Sequence, residues 1–252
     1  MTVSVPLLGI SLKMYFQPGP ARAWMQSVAR TVRSGGWPEN CDMFVLPDYL
    51  CLADAGRYLA PAGIAFGAQD VCWADSGPYT GEVSAPALAA IGCRYVAVGH
   101  AERRRLLGEN DQMTAGKAAA ATRHGLVPVV CIGEPEAGPP WQAARHCAAQ
   151  LAPVLEAVPE AAEIVVAYEP VWAIGADRPA APSYVREVCG SIRDLLVSRT
   201  GRARILYGGS AGPGLFGQLA PMADGLFLGR FAHDPANVAA VLSEITRCAD
   251  RL

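Results

Sequence analysis

The chain has 252 residues, with 21 Lys and Arg against 23 Asp and Glu and a formal net charge of -2. That balance supplies no basic field for nucleic acid or an anionic membrane surface, so an anionic small molecule would have to be bound locally. With 52% hydrophobic and 17% charged residues the chain can bury a large core and is not disordered, and its length suits one eightfold α/β barrel as well as two small domains.

The first apolar run, "VPLLGIS", reaches Ser11 and is followed by Lys13. Lysine occurs only there and at Lys117, and a compositional bias toward arginine accounts for the scarcity. A compact ammonium kept at a strand end is nevertheless chemically distinct from a guanidinium. A helix-like stretch, "ARAWMQSVARTVRS", separates this run from the next two, "CDMFVLP" and "GIAFGAQ". The fourth run, "RYVAVGH", ends on His100, just before a short helix expected from Ala101 or Glu102. A helix N-terminus disfavours an imidazolium pointing at it, which would leave a neutral donor for a carbonyl. The plainer alternative is a histidine that closes a turn.

"DQMTAGKAAAATRH" reads as a helix, "LVPVVCIG" as a strand and "WQAARHCAAQLAPVLEAV" as a helix. The sixth run, "IVVAYEP", then places Glu169 at the tip of a buried strand, where an unpartnered carboxylate is costly. One explanation is an arginine pairing at the barrel rim. The other is a general base, because "PVWAIG" comes next as an apolar segment started by proline and ended by glycine, suited to a lid that excludes water. After the helix "SYVREVCGSIRDLLVSR", the glycines of "YGGSAGPG" and "DGLFLGR" allow backbone N–H groups to approach an anion. "GPGLFG" also fits GxGxxG, but Pro213 removes a donor and the match is detached from its strand, so it is discounted. "PANVAAVLSEITRCAD" closes the chain as a helix.

Eight apolar runs alternating with helices predict a parallel sheet with right-handed crossovers, closed as a single (β/α)8 barrel domain over residues 1–252. In such a barrel Lys13, His100, Glu169 and the two glycine segments meet at the C-terminal mouth of the strands. The eight cysteines form no CxxC pair, and free, mostly buried thiols in a reducing cytosol are expected. The N-terminus lacks the features of a signal peptide and no apolar run reaches membrane length, so a cytoplasmic protein without a membrane partner is expected. The four histidines have no ligand spacing, and no metal is expected.

"LKM" at Lys13, "TGE" at Thr80–Glu82, "GH.ERR" at Gly99–Arg104, "CIGE" at Cys131–Glu134, "AYEPVWAIG" at Ala167–Gly175 and "LYGGS" at Leu206–Ser210 resemble triosephosphate isomerase, in family order and across nearly the whole chain. The resemblance implies Glu169 as the base that moves a proton between adjacent carbons and His100 as the neutral electrophile. Lys13 would hold the substrate and stabilise the enediolate, supported by Ser11 and Glu102. Phosphate would be bound by Gly175, Ser210, Gly229 and Arg230, and no cofactor would be needed. It also implies a homodimer in which the Thr80 loop reaches the partner's site.

Four departures bear on the substrate: Ser11 where the family usually has Asn, Ala101 where it has Ser, Ala176–Pro179 in the lid, and Arg230 in place of a glycine. The simplest activity implied is interconversion of D-glyceraldehyde 3-phosphate and dihydroxyacetone phosphate, the step shared by glycolysis and gluconeogenesis. A related branch, with similar Ser and Arg replacements, interconverts L-erythrulose 1-phosphate and D-erythrulose 4-phosphate. Both readings stay open, beside a non-catalytic relative that only binds phosphorylated ligands. A Schiff-base aldolase would need a strand lysine, for which Lys117 is poorly placed.

Overall fold

In the computed structural model, which describes residues 5–34 and 41–249, each apolar run pairs with its neighbours in sequence order. The strands are β1 (Leu7–Ser11), β2 (Asp42–Leu46), β3 (Ala65–Ala68), β4 (Tyr95–Val98), β5 (Val127–Ile132), β6 (Ile164–Tyr168), β7 (Ala203–Tyr207) and β8 (Gly225–Leu228). All pairings are parallel, and β8 returns to β1 through Leu7↔Gly225, closing the barrel. The helices are α1 (Pro18–Ser34), α2 (Leu52–Tyr58), α3 (Ala85–Ala90), α4 (Ala101–Leu107), α5 (Asp111–Arg123), α6 (Pro140–Ala157), α7 (Pro182–Leu196), α8 (Phe216–Leu219) and α9 (Pro235–Ala249). The five long stretches expected to be helical are α1, α5, α6, α7 and α9, while α2, α3 and α8 are additional. Of the expected 1–252 span, residues 1–4, 35–40 and 250–252 lie outside the described residues.

The period of two along each strand divides the core into two layers. Leu7, Phe44, Leu46, Tyr95, Val127, Val129, Val165, Ala167, Leu206 and Phe227 fill the inside of the barrel. Their neighbours, such as Leu8, Ile10, Val45, Val166 and Ile205, face the helices. Phe44 stacks on Tyr95 with ring centroids 4.4 Å apart. Gly9 makes room for that packing, because a Cβ there would stand 2.5 Å from Phe44 and 2.7 Å from Phe227.

The N-terminal end of the interior is plugged by Arg204, which is fully buried. Its guanidinium donates to Asp42 at 2.5 Å, to the Tyr95 hydroxyl at 3.1 Å and to Glu163 at 2.9 Å, linking residues from three strands and the segment before β6. Such an interaction is costly to break from one side, because the remaining charges stay behind in a poorly solvated place. Replacing Arg204 with Met should lower the unfolding free energy by about 3 kcal/mol, near the low end for such pairs because Asp42 is partly exposed and can rehydrate. Urea denaturation of both proteins measures the difference.

Candidate active site

The same alternation that fills the barrel sets the next inward position at each strand's C-terminal end. Val165 and Ala167 point inward, so Glu169 follows them inward; Leu206 is followed by Gly208, and Leu7 by Ser11 on the same face of β1. The register pairs Tyr168 with Tyr207, which puts Glu169 level with Gly208. The Gly208 N–H donates to the Tyr168 carbonyl at 2.9 Å, and the Glu169 N–H to the Ile132 carbonyl at 2.8 Å. A Cβ on residue 208 would overlap the Glu169 carboxyl group, and one on residue 133 would overlap its backbone carbonyl. Two glycines therefore shape the space that this acid occupies.

His100 caps α4 with its side chain: Nδ1 accepts the Glu102 backbone N–H at 3.1 Å. An accepting Nδ1 carries no proton, so the ring is neutral with its hydrogen on Nε2. Nε2 faces Glu169 Oε2 at 3.4 Å. Lys13 approaches from the loop after β1 and donates to Glu102 Oε1 at 2.6 Å. Its backbone is left-handed, φ 49°, an uncommon state for a residue with a Cβ. Gln69, at the end of β3, fixes that loop by donating to the carbonyls of Lys13 at 3.0 Å and Leu46 at 3.1 Å.

The segment after Glu169 is tied at both ends. Trp172 donates its indole N–H to Glu134 at 2.8 Å, and the Tyr184 and Tyr168 hydroxyls donate to the same carboxylate at 2.9 and 3.2 Å. At the far end the Ala180 N–H donates to the Tyr207 hydroxyl at 3.1 Å. Between them Ser210 Oγ meets the carbonyls of Ala173 at 3.0 Å and Ala176 at 2.7 Å. Gly175 takes φ 75°, and a Cβ on it would stand 3.0 Å from the Arg230 guanidinium, which reaches across from the end of β8.

Ser11, Lys13, His100, Glu102, Glu169, Gly175, Ser210, Gly229 and Arg230 all line one cavity of about 660 Å³. Thr80 does not; it is exposed in the segment after β3, next to Tyr79, which packs edge-on against Trp73. Lys117 is also elsewhere, buried on α5 and held by Asp70 at 2.7 Å and by Glu109, which leaves no free amine for a Schiff base. Among the described residues no group of three His, Cys, Asp or Glu side chains is arranged to hold a metal ion. The cysteines are unpaired, and all but Cys248 are buried. No helix of the described residues is long and apolar enough to cross a membrane. Sequence reasoning does not single out Glu134, Tyr207 or Gln69 as site residues; Glu134 does share with Glu169 the signal of an acid ending an apolar run.

The family model described as triosephosphate isomerase matches residues 6–245. The chain is 46% identical over 244 residues to L-erythrulose-1-phosphate isomerase of Pectobacterium atrosepticum, covering 94% of each chain. It is 40% identical over 242 residues to triosephosphate isomerase of Thermus thermophilus, covering 91% of this chain and 94% of that one. With the triosephosphate isomerase of Leifsonia xyli it shares 37% identity over 249 residues, 94% of this chain and 96% of the relative.

Burial raises the Glu169 carboxyl above its ordinary value, while the charge of Lys13 opposes the shift without cancelling it. Its Oε2 has no hydrogen-bond partner. No arginine pairs with it among the described residues, so the rim ion pair is not its explanation. A carboxyl with a raised folded-state pKa destabilises the fold once ionised, above that pKa, and costs nothing below its unfolded value of about 4.3. Glu169→Gln should therefore melt higher than the parent protein at neutral pH, with the gain shrinking to zero as pH falls below about 4. Thermal melts of the two proteins across pH measure it.

Proposed function

We propose that this chain, which belongs to the triosephosphate isomerase family, is a sugar-phosphate isomerase that needs no cofactor. The observation that carries the reading is the meeting of a buried carboxylate, a neutral imidazole and an ammonium in one cavity whose other end holds Gly175, Ser210, Gly229 and Arg230. Glu169 takes the proton from a carbon next to the substrate carbonyl. The electron pair moves into the new carbon–carbon double bond, and negative charge develops on the carbonyl oxygen. His100 Nε2–H donates to that oxygen, and the Lys13 ammonium stabilises its charge. Glu169 then returns the proton to the adjacent carbon as the neighbouring hydroxyl becomes the carbonyl and its proton restores Nε2–H. Nothing is oxidised or reduced overall except within the substrate, and the enzyme ends as it began.

The Lys13 ammonium is positioned by Glu102. Burial alone would raise the Glu102 carboxyl, but hydrogen bonding from Lys13 and the charges of Lys13 and Arg105 outweigh it and hold the group below the ordinary range, so it is ionised opposite the ammonium. The substrate phosphate is held by the N–H groups of Gly175, Ser210 and Gly229 and by the Arg230 guanidinium. The lid anchored on Glu134 and Tyr207 keeps water from the enediolate.

Two substrates fit this chemistry. The triose pair is the simplest. The erythrulose phosphates are favoured by the 46% identity with L-erythrulose-1-phosphate isomerase and by Ser11, whose short side chain leaves space on the inner face of β1. We further infer a cytoplasmic homodimer. The loops after the adjacent strands β1, β2 and β3 expose Met14, Leu50, Trp73 and Tyr79, and the exposed Thr80 belongs to the same region, which supports a Thr80 loop that reaches a partner's site. The free thiols fit a reducing compartment.

Steady-state rates on the triose and tetrulose phosphates, measured side by side, decide the substrate. Turnover of at least one is expected, with kcat/KM higher for the four-carbon pair. Binding of both without turnover of either would mean a phosphate-ligand-binding protein instead. Glu169→Asp withdraws the base by about one methylene and should lower kcat about a hundredfold while leaving inhibition by inorganic phosphate nearly unchanged.

A further inference from the structure

A second cavity of about 370 Å³ lies beside the first, walled on its far side by Cys131, Pro135, His146 and Gln150. The two share Ala101, Arg105, Glu169 and Val171. None of Gly175, Ser210, Gly229 and Arg230 borders the second. Along the pair of cavities the order is therefore phosphate end, reacting centre, side cavity. A sugar held by its phosphate and presenting a carbon to Glu169 directs the rest of its chain away from the phosphate, toward that side cavity.

Ala101 stands at the shared wall. It opens α4, is half-buried, and lies one turn before Arg105, so the two occupy the same face of the helix. A methyl group is the smallest side chain an L-residue can place between the cavities. Arg105 makes no salt bridge among the described residues. On the opposite wall Gln150 uses its amide oxygen to accept the Gly133 N–H at 2.9 Å, which turns its NH2 into the available donor. Both groups can hydrogen-bond a hydroxyl.

We propose that the side cavity is the subsite for the end of the substrate opposite its phosphate, with Ala101 as the specificity-determining residue. It rests on the isomerase reading above and adds the substrate class: ketose phosphates with at least one carbon beyond the two that exchange hydrogen on the side away from the phosphate. A triose phosphate has no such carbon and leaves the subsite unused. A four-carbon ketose phosphate whose carbonyl moves between its second and third carbons carries a hydroxymethyl group there. Ser11, on the inner face of β1, lines the catalytic cavity only.

The test is the ratio of kcat/KM for L-erythrulose 1-phosphate to that for dihydroxyacetone phosphate, in the parent enzyme, in Ala101→Leu and in Ala101→Ser. One methylene in a pocket is worth about 10- to 200-fold in discrimination, so Ala101→Leu should lower the ratio at least tenfold. Ala101→Ser, larger by one oxygen and safe for the fold, should lower it about threefold and keeps the test available if the leucine variant does not fold. A ratio insensitive to both substitutions, or parent turnover of the triose alone, overturns the subsite while leaving the isomerase reading standing. Turnover of neither sugar phosphate by the parent overturns that reading, and the subsite with it.

Discussion

The structure depends on one steric fact, that Glu169 can point into the barrel because Gly208 has no side chain. Strand pairing makes the two residues level, and alternation turns both inward, so any other residue at 208 would occupy the space of the carboxyl group. Burial there is unfavourable for the ionised acid and raises its pKa. His100 and Lys13 return only part of the lost solvation, and one carboxylate oxygen stays unbonded. A group arranged for stability would be paired; leaving this one unpaired fits the base proposed for it, at a cost the large two-layered core can absorb.

The surrounding hydrogen bonds act on geometry more than on charge. His100 is fixed through Nδ1 by the backbone of α4, which leaves Nε2 aimed at Glu169. Lys13 is fixed through its ammonium by Glu102 and through its carbonyl by Gln69, a double hold that supports a backbone state costing about 1 kcal/mol or more. The segment after Glu169, the proposed lid, is fixed by Glu134, which accepts from Trp172, Tyr184 and Tyr168, and by Tyr207 beyond it. Tyr168 and Tyr207 face outward on the strands whose next residues, Glu169 and Gly208, face inward. The lining of the cavity and the anchors of the segment after Glu169 are thus successive residues of the same two strands.

The strand-end residues were legible because buried parallel strands read as short apolar runs, and the residues just beyond each run must lie at one mouth. Lys13, His100 and Glu169 are found that way, and the alternation of inward and outward positions would have added Gly208. The lid anchors are harder. Glu134 ends an apolar run, but its anchoring role emerges only from three donors on separate segments, and that of Gln69 from two carbonyls brought close by the pairing of β1, β2 and β3. Neither leaves a periodic trace. The short helices α2, α3 and α8 escape because four to seven residues show too little amphipathic repeat. The buried Asp70, Glu109 and Lys117 cluster is hidden for a related reason: opposite charges far apart in sequence neutralise one another only after folding.

Charge explains the remaining departure. With a net charge of -2 the protein has no general attraction for a phosphate dianion, so attraction has to come from the mouth of the barrel. Backbone N–H groups contribute partial charges, and Lys13 is already committed to Glu102. Arg230 adds a full positive charge at the opposite end of the cavity from the reacting centre, over Gly175, whose φ of 75° favours glycine and where a Cβ would stand 3.0 Å from the guanidinium. Glycine at 175 and arginine at 230 thus meet closely, the guanidinium from the end of β8 lying over the segment after β6. On the proposed reading, a substrate lengthened at its far end gains nothing if its phosphate drifts. A charged group that fixes the phosphate and a methyl group that opens the other end are complementary answers to the same longer molecule.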